Sequence, residues 1–381
     1  YEYNGADTTV ETSHFSKTDM QIKYKEELEY FRNKVNSGKT YEGETIIQIE
    51  DIDLQGSASN PWTPIGSSET KTFKGTYDGK NHHIDNLYIN STLNYQGLFG
   101  YSMGNIKNLG IETGSITGGN KNAYIGALIG INDGGTIENC YNNINIKVKA
   151  RETGGICGSH ASGTIKQCYN SGNITVTETV AYGGVFGISG SVPLKKNTSK
   201  IIELCYNAGS ITMNSNEHNT RAAGIGEATA FSTDSVAIIR NCYNKGVITN
   251  NYLGSEASSY TVSAGIAGQV ENANSSVYNC YNIGNLVITA NNDHNRECRR
   301  GGIAGCRVNI NSSVNNCYYL ETTANKEYGP GTGIGSIDRV EESKGNPINS
   351  QQLKNLATTL GTSFKEDSNN INNGYPILIW Q

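Results

Sequence analysis

The tripeptide Cys-Tyr-Asn returns along this chain at a nearly constant interval, and that recurrence restricts the possible folds more than any other feature. Copies begin at Cys140, Cys168, Cys205, Cys242 and Cys280, and an altered copy reads Cys317-Tyr318-Tyr319. The steps between them are 28, 37, 37, 38 and 37 residues. A motif at such a period marks stacked structural units, none of which can bury its apolar face alone. Between the copies lies a glycine-rich string: Gly126-Ala-Leu-Ile-Gly130, Gly154-Gly-Ile-Cys-Gly158, Gly183-Gly-Val-Phe-Gly187, Ala264-Gly-Ile-Ala-Gly268 and Gly301-Gly-Ile-Ala-Gly305. A third piece follows each tripeptide, as in Gly172-Asn-Ile174 and Gly209-Ser-Ile211. Three short strands per unit predict an all-β fold, a single right-handed parallel β-helix in which each strand pairs with its counterpart one coil away. The hand follows from the preference of parallel crossovers.

The motif itself has a physical reading. In Ile137-Glu-Asn-Cys-Tyr-Asn142, strict alternation would put Ile137 and Cys140 on opposite faces, so a corner at Asn139 is expected to reset the phase. Ile and Cys then point inward and Tyr points out. Asn suits such corners because it tolerates left-handed backbone geometry, and stacked amides can bond from coil to coil. Cys140, Cys168, Cys205, Cys242, Cys280 and Cys317 are therefore expected as an inward ladder of free thiols, where cruder early repeats have Leu87 and Leu109. Zinc is disfavoured, since no Cys-x-x-Cys pair occurs. Cys298 and Cys306, which flank a turn, are the one pair that could be bridged.

Charged residues make up 17% of the 381, below the roughly 25% of ordinary domains, and 45 glycines accompany them, which suits a turn-dense β protein. Net charge is −5 with no basic run, so nucleic-acid binding has little support. No stretch approaches the length of a membrane span. The chain begins at Tyr1 with neither Met nor a signal peptide, as expected of a mature or excised piece.

Residues 1–19 read as a linker or leader and 20–45 as an N-terminal cap. The cap contains a helix whose face carries Tyr24, Leu28, Phe31 and Val35. Residues 46–345 read as the β-helix and 346–381 as a C-terminal cap, with a helical pattern at Leu353, Leu356 and Leu360 and a last strand at Tyr375–Trp380. The series Val35-Asn-Ser-Gly38, Asp51-Ile-Asp-Leu54, Trp62-Thr-Pro-Ile-Gly66, Phe73-Lys-Gly-Thr-Tyr-Asp-Gly79, Ile84-Asp-Asn-Leu87 and Gly97-Leu-Phe-Gly100 resembles the GLUG-repeat β-helix modules of bacterial surface proteins. The ending Asn373-Gly-Tyr-Pro-Ile-Leu-Ile-Trp-Gln381 is similar to their usual terminus. Such modules occur in adhesins and beside IgA-protease-type metallopeptidase domains, so the resemblance implies a bacterial cell-surface or secreted protein.

No His-Glu-x-x-His motif is present, so the peptidase activity does not carry over. No acidic position recurs from coil to coil. Asp133 and Glu138 share a corner without counterparts, His82-His83 falls in a turn, and Gly329–Gly335 lacks the Lys-Ser/Thr of a phosphate loop. No cofactor or metal is expected. Two surfaces are candidates for binding. One is the outward stripe of Tyr141, Tyr169, Tyr206, Tyr243, Tyr281 and Tyr318, which either stabilises the stack or offers a platform, through Tyr206, Tyr243 and Tyr281, to sugars or a protein. The other is a row of corner loops at 213–222, 250–263 and 289–300, the last bearing Asp293, His294, Arg296, Arg299 and Arg300. The expected function is non-enzymatic adhesion or ligand binding at a bacterial surface, by a monomer that recognises a host protein or glycan. The alternatives are a polysaccharide-active β-helix enzyme and an accessory spacer of a surface peptidase.

Overall fold

The computed structural model describes residues 19–191, 197–230, 232, 234–254, 260–271, 274–290, 297–307, 312–323, 332–334 and 345–381. They form a parallel β-helix. One face is a sheet of seven parallel strands, from Leu87–Ser91 through Gly114–Gly119, Asn145–Lys149, Ile174–Glu178, Ile211–Ser215 and Ile248–Tyr252 to Leu286–Ala290. The other strands of the coils join one continuous parallel sheet around the remaining faces. The coils hold three to five strand segments rather than a uniform three. The unit starting at Glu152, for example, runs Glu152–Gly154, Cys157–Lys166, Tyr169–Asn170 and Ile174–Glu178.

In-register aliphatic ladders fill the lumen. Ile146, Ile174, Ile211, Ile248 and Leu286 stack on one face, and Ile137, Ile165, Ile202, Ile239, Val277 and Val314 on another. All are buried. The corner before each Cys-Tyr-Asn is left-handed, with φ of 51° at Asn139, 53° at Asn241, 53° at Asn279 and 47° at Asn316. Gln167 and Leu204 take the same conformation at 52° and 56°. This is the phase-resetting corner expected from the sequence. The six ladder cysteines are buried and none is disulfide-bonded. Each thiol donates to the carbonyl two residues back, at 3.1 Å from Cys168 to Lys166 and from Cys205 to Glu203. The side chains of Cys298 and Cys306 lie outside the described residues.

The motif's asparagine also turns inward, which alternation from Cys requires but the sequence reading left unstated. Asn142 Nδ2 donates to Asn170 Oδ1 at 2.7 Å, and the relay continues at 2.8 Å through Asn207, Asn244 and Asn282. The same amides donate to the carbonyl two residues on, as Asn207 does to Gly209 at 2.8 Å. Opposite the relay the coils of Asn170, Asn207, Asn244 and Asn282 each present a glycine, where the coil of Asn142 has Ala127. A side chain at Gly155 would strike Asn170 and the Gly187 carbonyl, and one at Gly187 would strike Asn207 and the Gly224 carbonyl. This register corrects the alignment of the glycine strings: Gly187, not Gly184, occupies the place of Gly155.

Helix α1 (Lys25–Asn36) covers the N-terminal end. Leu28, Phe31 and Val35 are buried, and the Phe31 ring lies 5.5 Å from Phe73 and 6.0 Å from Tyr77. Tyr24 is the exposed residue preceding the helix. The C-terminal segment departs from expectation. Helices α2 (Ser350–Lys354) and α3 (Ala357–Leu360), with the small antiparallel pair Phe364–Lys365 and Ile377–Leu378, lie along the tyrosine face. The reason is a continuous apolar edge: the stripe offers a lateral surface over several coils, and Leu353, Leu360, Phe364 and Leu378 bury against it.

The relay makes a quantitative prediction. Asn207→Ala removes three buried hydrogen bonds and strands partners on both neighbouring coils, at an expected cost of about 3 kcal/mol. Asn143→Ala, beside the relay at the corresponding corner two coils earlier, removes two outer hydrogen bonds, with Glu112 and Ser171, and is expected to cost about 1 kcal/mol. Urea unfolding of the two variants against the parent measures the difference.

Candidate functional site

The tyrosine stripe is a stack. Ring centroids of Tyr141, Tyr169, Tyr206, Tyr243 and Tyr281 follow at 5.1, 5.0, 4.9 and 5.0 Å, with planes within 9° of parallel. Their faces are therefore spent on one another, and only edges point outward. Tyr243 and Tyr281 are also fully buried beneath the C-terminal segment. Asn372 Nδ2 donates to the Tyr281 hydroxyl at 2.7 Å, Gln381 Nε2 to that of Tyr243 at 3.0 Å, and Trp380 Nε1 to the Leu204 carbonyl at 3.0 Å. Trp380 lies 5.9 Å from Tyr206 and 6.4 Å from Tyr169. The expectation that Tyr206, Tyr243 and Tyr281 form a ligand platform is corrected: two are covered, and the third is half-buried beneath Trp380.

The corner row needs new bounds. Strands Ile211–Ser215 and Thr220–Ala223 occupy most of 213–222, and Ile248–Tyr252 and Tyr260–Ala264 both ends of 250–263. Among the described residues, 216–219 and 253–254 lie between these strands. Within 289–300, Arg299 and Arg300 belong to the strand Glu297–Arg307, paired with Val262 and Ser263, rather than to a loop. They are strand residues because the next coil continues the ladder there. Asp293, His294 and Arg296 lie outside the described residues. The same corner on earlier coils comprises 92–94, 120–123, 150–151 and 179–183, and the row is tied together. Asn120 Nδ2 donates to the Thr92 carbonyl at 2.7 Å, the Tyr182 amide to the His218 carbonyl at 3.2 Å, and the Leu253 amide to the Ser215 carbonyl at 2.7 Å. Leu93, Tyr182 and Leu253 stand 43%, 51% and 49% exposed on this row.

A feature the sequence reading missed lies immediately beyond the row. The strand after each corner contributes one outward residue to a single in-register ladder: Tyr95, Tyr124, Glu152, Gly184, Arg221 and Val262. Their neighbours Val185 and Ala222 fill the lumen, so these residues face the opposite way, into the outer angle between two strands of the coil. That angle is aromatic at one end, around Tyr95, Tyr101 and Tyr124, and apolar at the other, around Phe186, Ala223, Val262 and Ala264. Between them it holds charge. Arg221 Nε contacts Glu227 Oε1 at 2.5 Å, off the line of an aligned hydrogen bond. Its Nη1 donates to Gln269 Oε1 at 3.0 Å. Its Nη2 donates to the Tyr182 carbonyl at 2.6 Å and lies 3.6 Å from Glu152 Oε1. Lys200 Nζ donates to Ser191 Oγ at 2.5 Å. Glu152, Lys200, Arg221 and Glu227 are all no more than 7% exposed. Only Tyr, at Tyr95 and Tyr124, recurs along this ladder, so no motif announces it. Its one sequence signal is a charged residue at the third place before the lumen glycine, as at Glu152 before Gly155 and Arg221 before Gly224.

Burial, then the neighbouring Glu227, raises the Glu152 carboxyl to about 8 against the pull of Arg221, Arg151 and Lys200. Burial lowers the Lys200 ammonium to about 8 against Glu227 and Glu152. Burial and the Lys200 charge depress His160 to about 3, leaving a neutral imidazole whose Nε2 faces the Gly163 carbonyl at 3.1 Å. Among the described residues no group of His, Cys, Asp or Glu could hold a metal ion. His82 and His83 instead pair with Asp51, at 3.0 and 3.2 Å.

These values fix a pH dependence. Between 4.5 and 8 the folded chain holds a proton at Glu152 that the unfolded chain releases, so stability falls as pH rises, by up to about 1.4 kcal/mol per pH unit. His160 acts oppositely between 3 and 6.5, where the unfolded chain binds the extra proton. The two contributions cancel from 4.5 to 6.5. A decline from 6.5 to 8, to which the raised Glu227 and Glu271 carboxyls add, is expected in Tm measured across pH, and Glu152→Gln is expected to reduce it.

Comparison with known proteins agrees with this architecture. Residues 121–147 match the family described as the GLUG motif. Halomucin of Haloquadratum walsbyi is 32% identical over 114 residues, which are 28% of this chain and 1% of that protein. The chain thus matches a very small part of a much longer relative. The crystal structure of a candidate immunoglobulin A1 protease from Bacteroides ovatus superposes with a TM-score of 0.52 at 18% identity, covering 95% of this chain and 92% of that one. That likeness is one of fold. The chain is a parallel β-helix that carries the GLUG motif, a repeat module of the kind found in surface proteins.

Proposed function

We propose that this chain is a non-enzymatic extracellular module of a bacterial surface protein, which binds a host protein or glycan through the row of corners on one edge of its β-helix. The observation that carries this reading is the row itself. Three of the seven large apolar side chains exposed among the described residues, Leu93, Tyr182 and Leu253, stand on it. Rigid coils hold them in line, and binding residues commonly occupy loops positioned by a rigid scaffold. The motif and the halomucin match support a surface or secreted setting. An enzyme would need reachable acid and base groups. The one buried carboxyl pair in the outer angle, Glu152 and Glu227, is 2% and 5% exposed with Arg221 packed against both.

A glycan and host-protein array, read alongside an assay for sugar release, tests the proposal. Binding without release is expected. The double variant Tyr182→Ser, Leu253→Ser is expected to lose at least tenfold in affinity while its unfolding free energy stays within about 1 kcal/mol of the parent, as for exposed positions. Binding unchanged in that variant overturns the corner row as the site. Sugar release favours the polysaccharide-active alternative, and a blank array favours a spacer beside a peptidase.

A further inference from the structure

Tyr182, the most exposed apolar residue of the corner row, is held by the charged groove behind it. Its carbonyl accepts from Arg221 Nη2 at 2.6 Å, its amide donates to the His218 carbonyl, and its ring meets that of His218 at 5.6 Å. The same Nη2 lies 3.6 Å from Glu152 Oε1. One guanidinium nitrogen thus stands between two acceptors, a corner carbonyl and a carboxyl group. The other Arg221 nitrogens are committed to Glu227 and Gln269.

We propose that the Glu152–Arg221 pair is a proton-operated latch on the Tyr182 corner: a protonated Glu152 leaves Arg221 holding the corner, and an ionised Glu152 draws the guanidinium away and frees it. A neutral carboxyl is a weak competitor for a guanidinium N–H, whereas a carboxylate is a strong one. Among the described residues the Oε2 atom of Glu152 has no hydrogen-bond partner, and it lies over Gly190, where a side chain would strike it. Loss of the proton therefore leaves charge that only movement of a neighbouring cation can compensate. Arg151 on the adjoining corner, Lys200, Arg221, Glu227, Tyr124 and Cys157 are the charged or titratable groups that act with Glu152. Gln269 and Glu271 act on Arg221 from the next coil. Lys200 donates to Ser191 across the groove. Of the cations named, Arg221 is the one whose side chain also bonds the corner. The lowered Lys200 loses its own proton in the same range as Glu152, so it does not supply the missing charge.

The effect on binding rests on the corner-row reading of function, but the movement itself does not, so it is measured without a ligand. Tyr182→Trp places a fluorophore on the corner in the full chain, and the same substitution is made together with Glu152→Gln. Trp62 and Trp380 are common to both proteins. In the first, the emission maximum is expected to shift through a single-proton transition with its midpoint near pH 8. In the second, which mimics the protonated acid, it is expected to stay flat from pH 6.5 to 9. Circular dichroism at pH 6 verifies folding, and should the Gln variant not fold, Glu152→Asp is expected to move the midpoint by at least half a pH unit. Flat emission in the first protein, or a transition unmoved by either substitution, overturns the latch. Failure of the array with a working latch would reject only the binding reading.

Discussion

Five consecutive coils of this protein are joined by one polar interaction inside an apolar lumen, the amide relay of Asn142, Asn170, Asn207, Asn244 and Asn282. A β-helix is free to slip one coil against the next, because aliphatic ladders alone define register only by period two. An amide that must donate to one neighbour and accept from the other fixes that register, since any slip leaves buried polar atoms unpaired. The lumen glycine facing the amides from Asn170 onward follows from the same geometry: no side chain fits between Gly155 and Asn170, or between Gly187 and Asn207. The two recurring strings of the sequence are thus the two halves of one contact.

Much of this was legible because its parts repeat. The left-handed corner at Asn139, the inward thiols and the N-terminal helix face all follow from residue type and spacing. What repeats imperfectly misled in instructive ways. Two glycines in Gly183-Gly-Val-Phe-Gly187 suggested one alignment, whereas the steric demand at the relay selects Gly187. Polar stretches such as 213–222 looked like loops, yet Thr220 and Arg221 pair with Thr261 and Val262 as strand. Parallel pairing asks only that backbone groups meet, so it tolerates polar side chains wherever the outer face is itself covered.

The C-terminal segment was recognisable as a cap from its leucines, but not its location. A helix with an apolar face reports that it covers something, not what it covers. Two small irregularities in the repeat mark the place. The left-handed corner is Asn in six of the eight units from Asn86 to Asn316, and the exceptions are Gln167 and Leu204. These precede Tyr169 and Tyr206, the two tyrosines on which Trp380 rests, and the Leu204 carbonyl accepts from its indole. Where Trp380 covers the corner at Leu204 an aliphatic side chain packs against it, whereas Gln167 keeps the polar amide of the other corners.

The outer groove follows a different logic from the lumen. Its ladder of Tyr95, Tyr124, Glu152, Gly184, Arg221 and Val262 changes chemistry at almost every coil, so it is not under the constraint that makes the other ladders uniform. Filling the space with apolar side chains would serve stability as well or better, because buried ion pairs seldom repay their desolvation. Phe186 and Val262 show that the same angle accepts such filling one step further along. What the charged section has, and an apolar one would lack, is a bond from Arg221 out to the Tyr182 corner. The cost of burying charge is then understandable as the cost of connecting an exposed corner to a group whose protonation changes near neutral pH, and the absence of any repeated motif at this position is what a feature built once, for one corner, should look like.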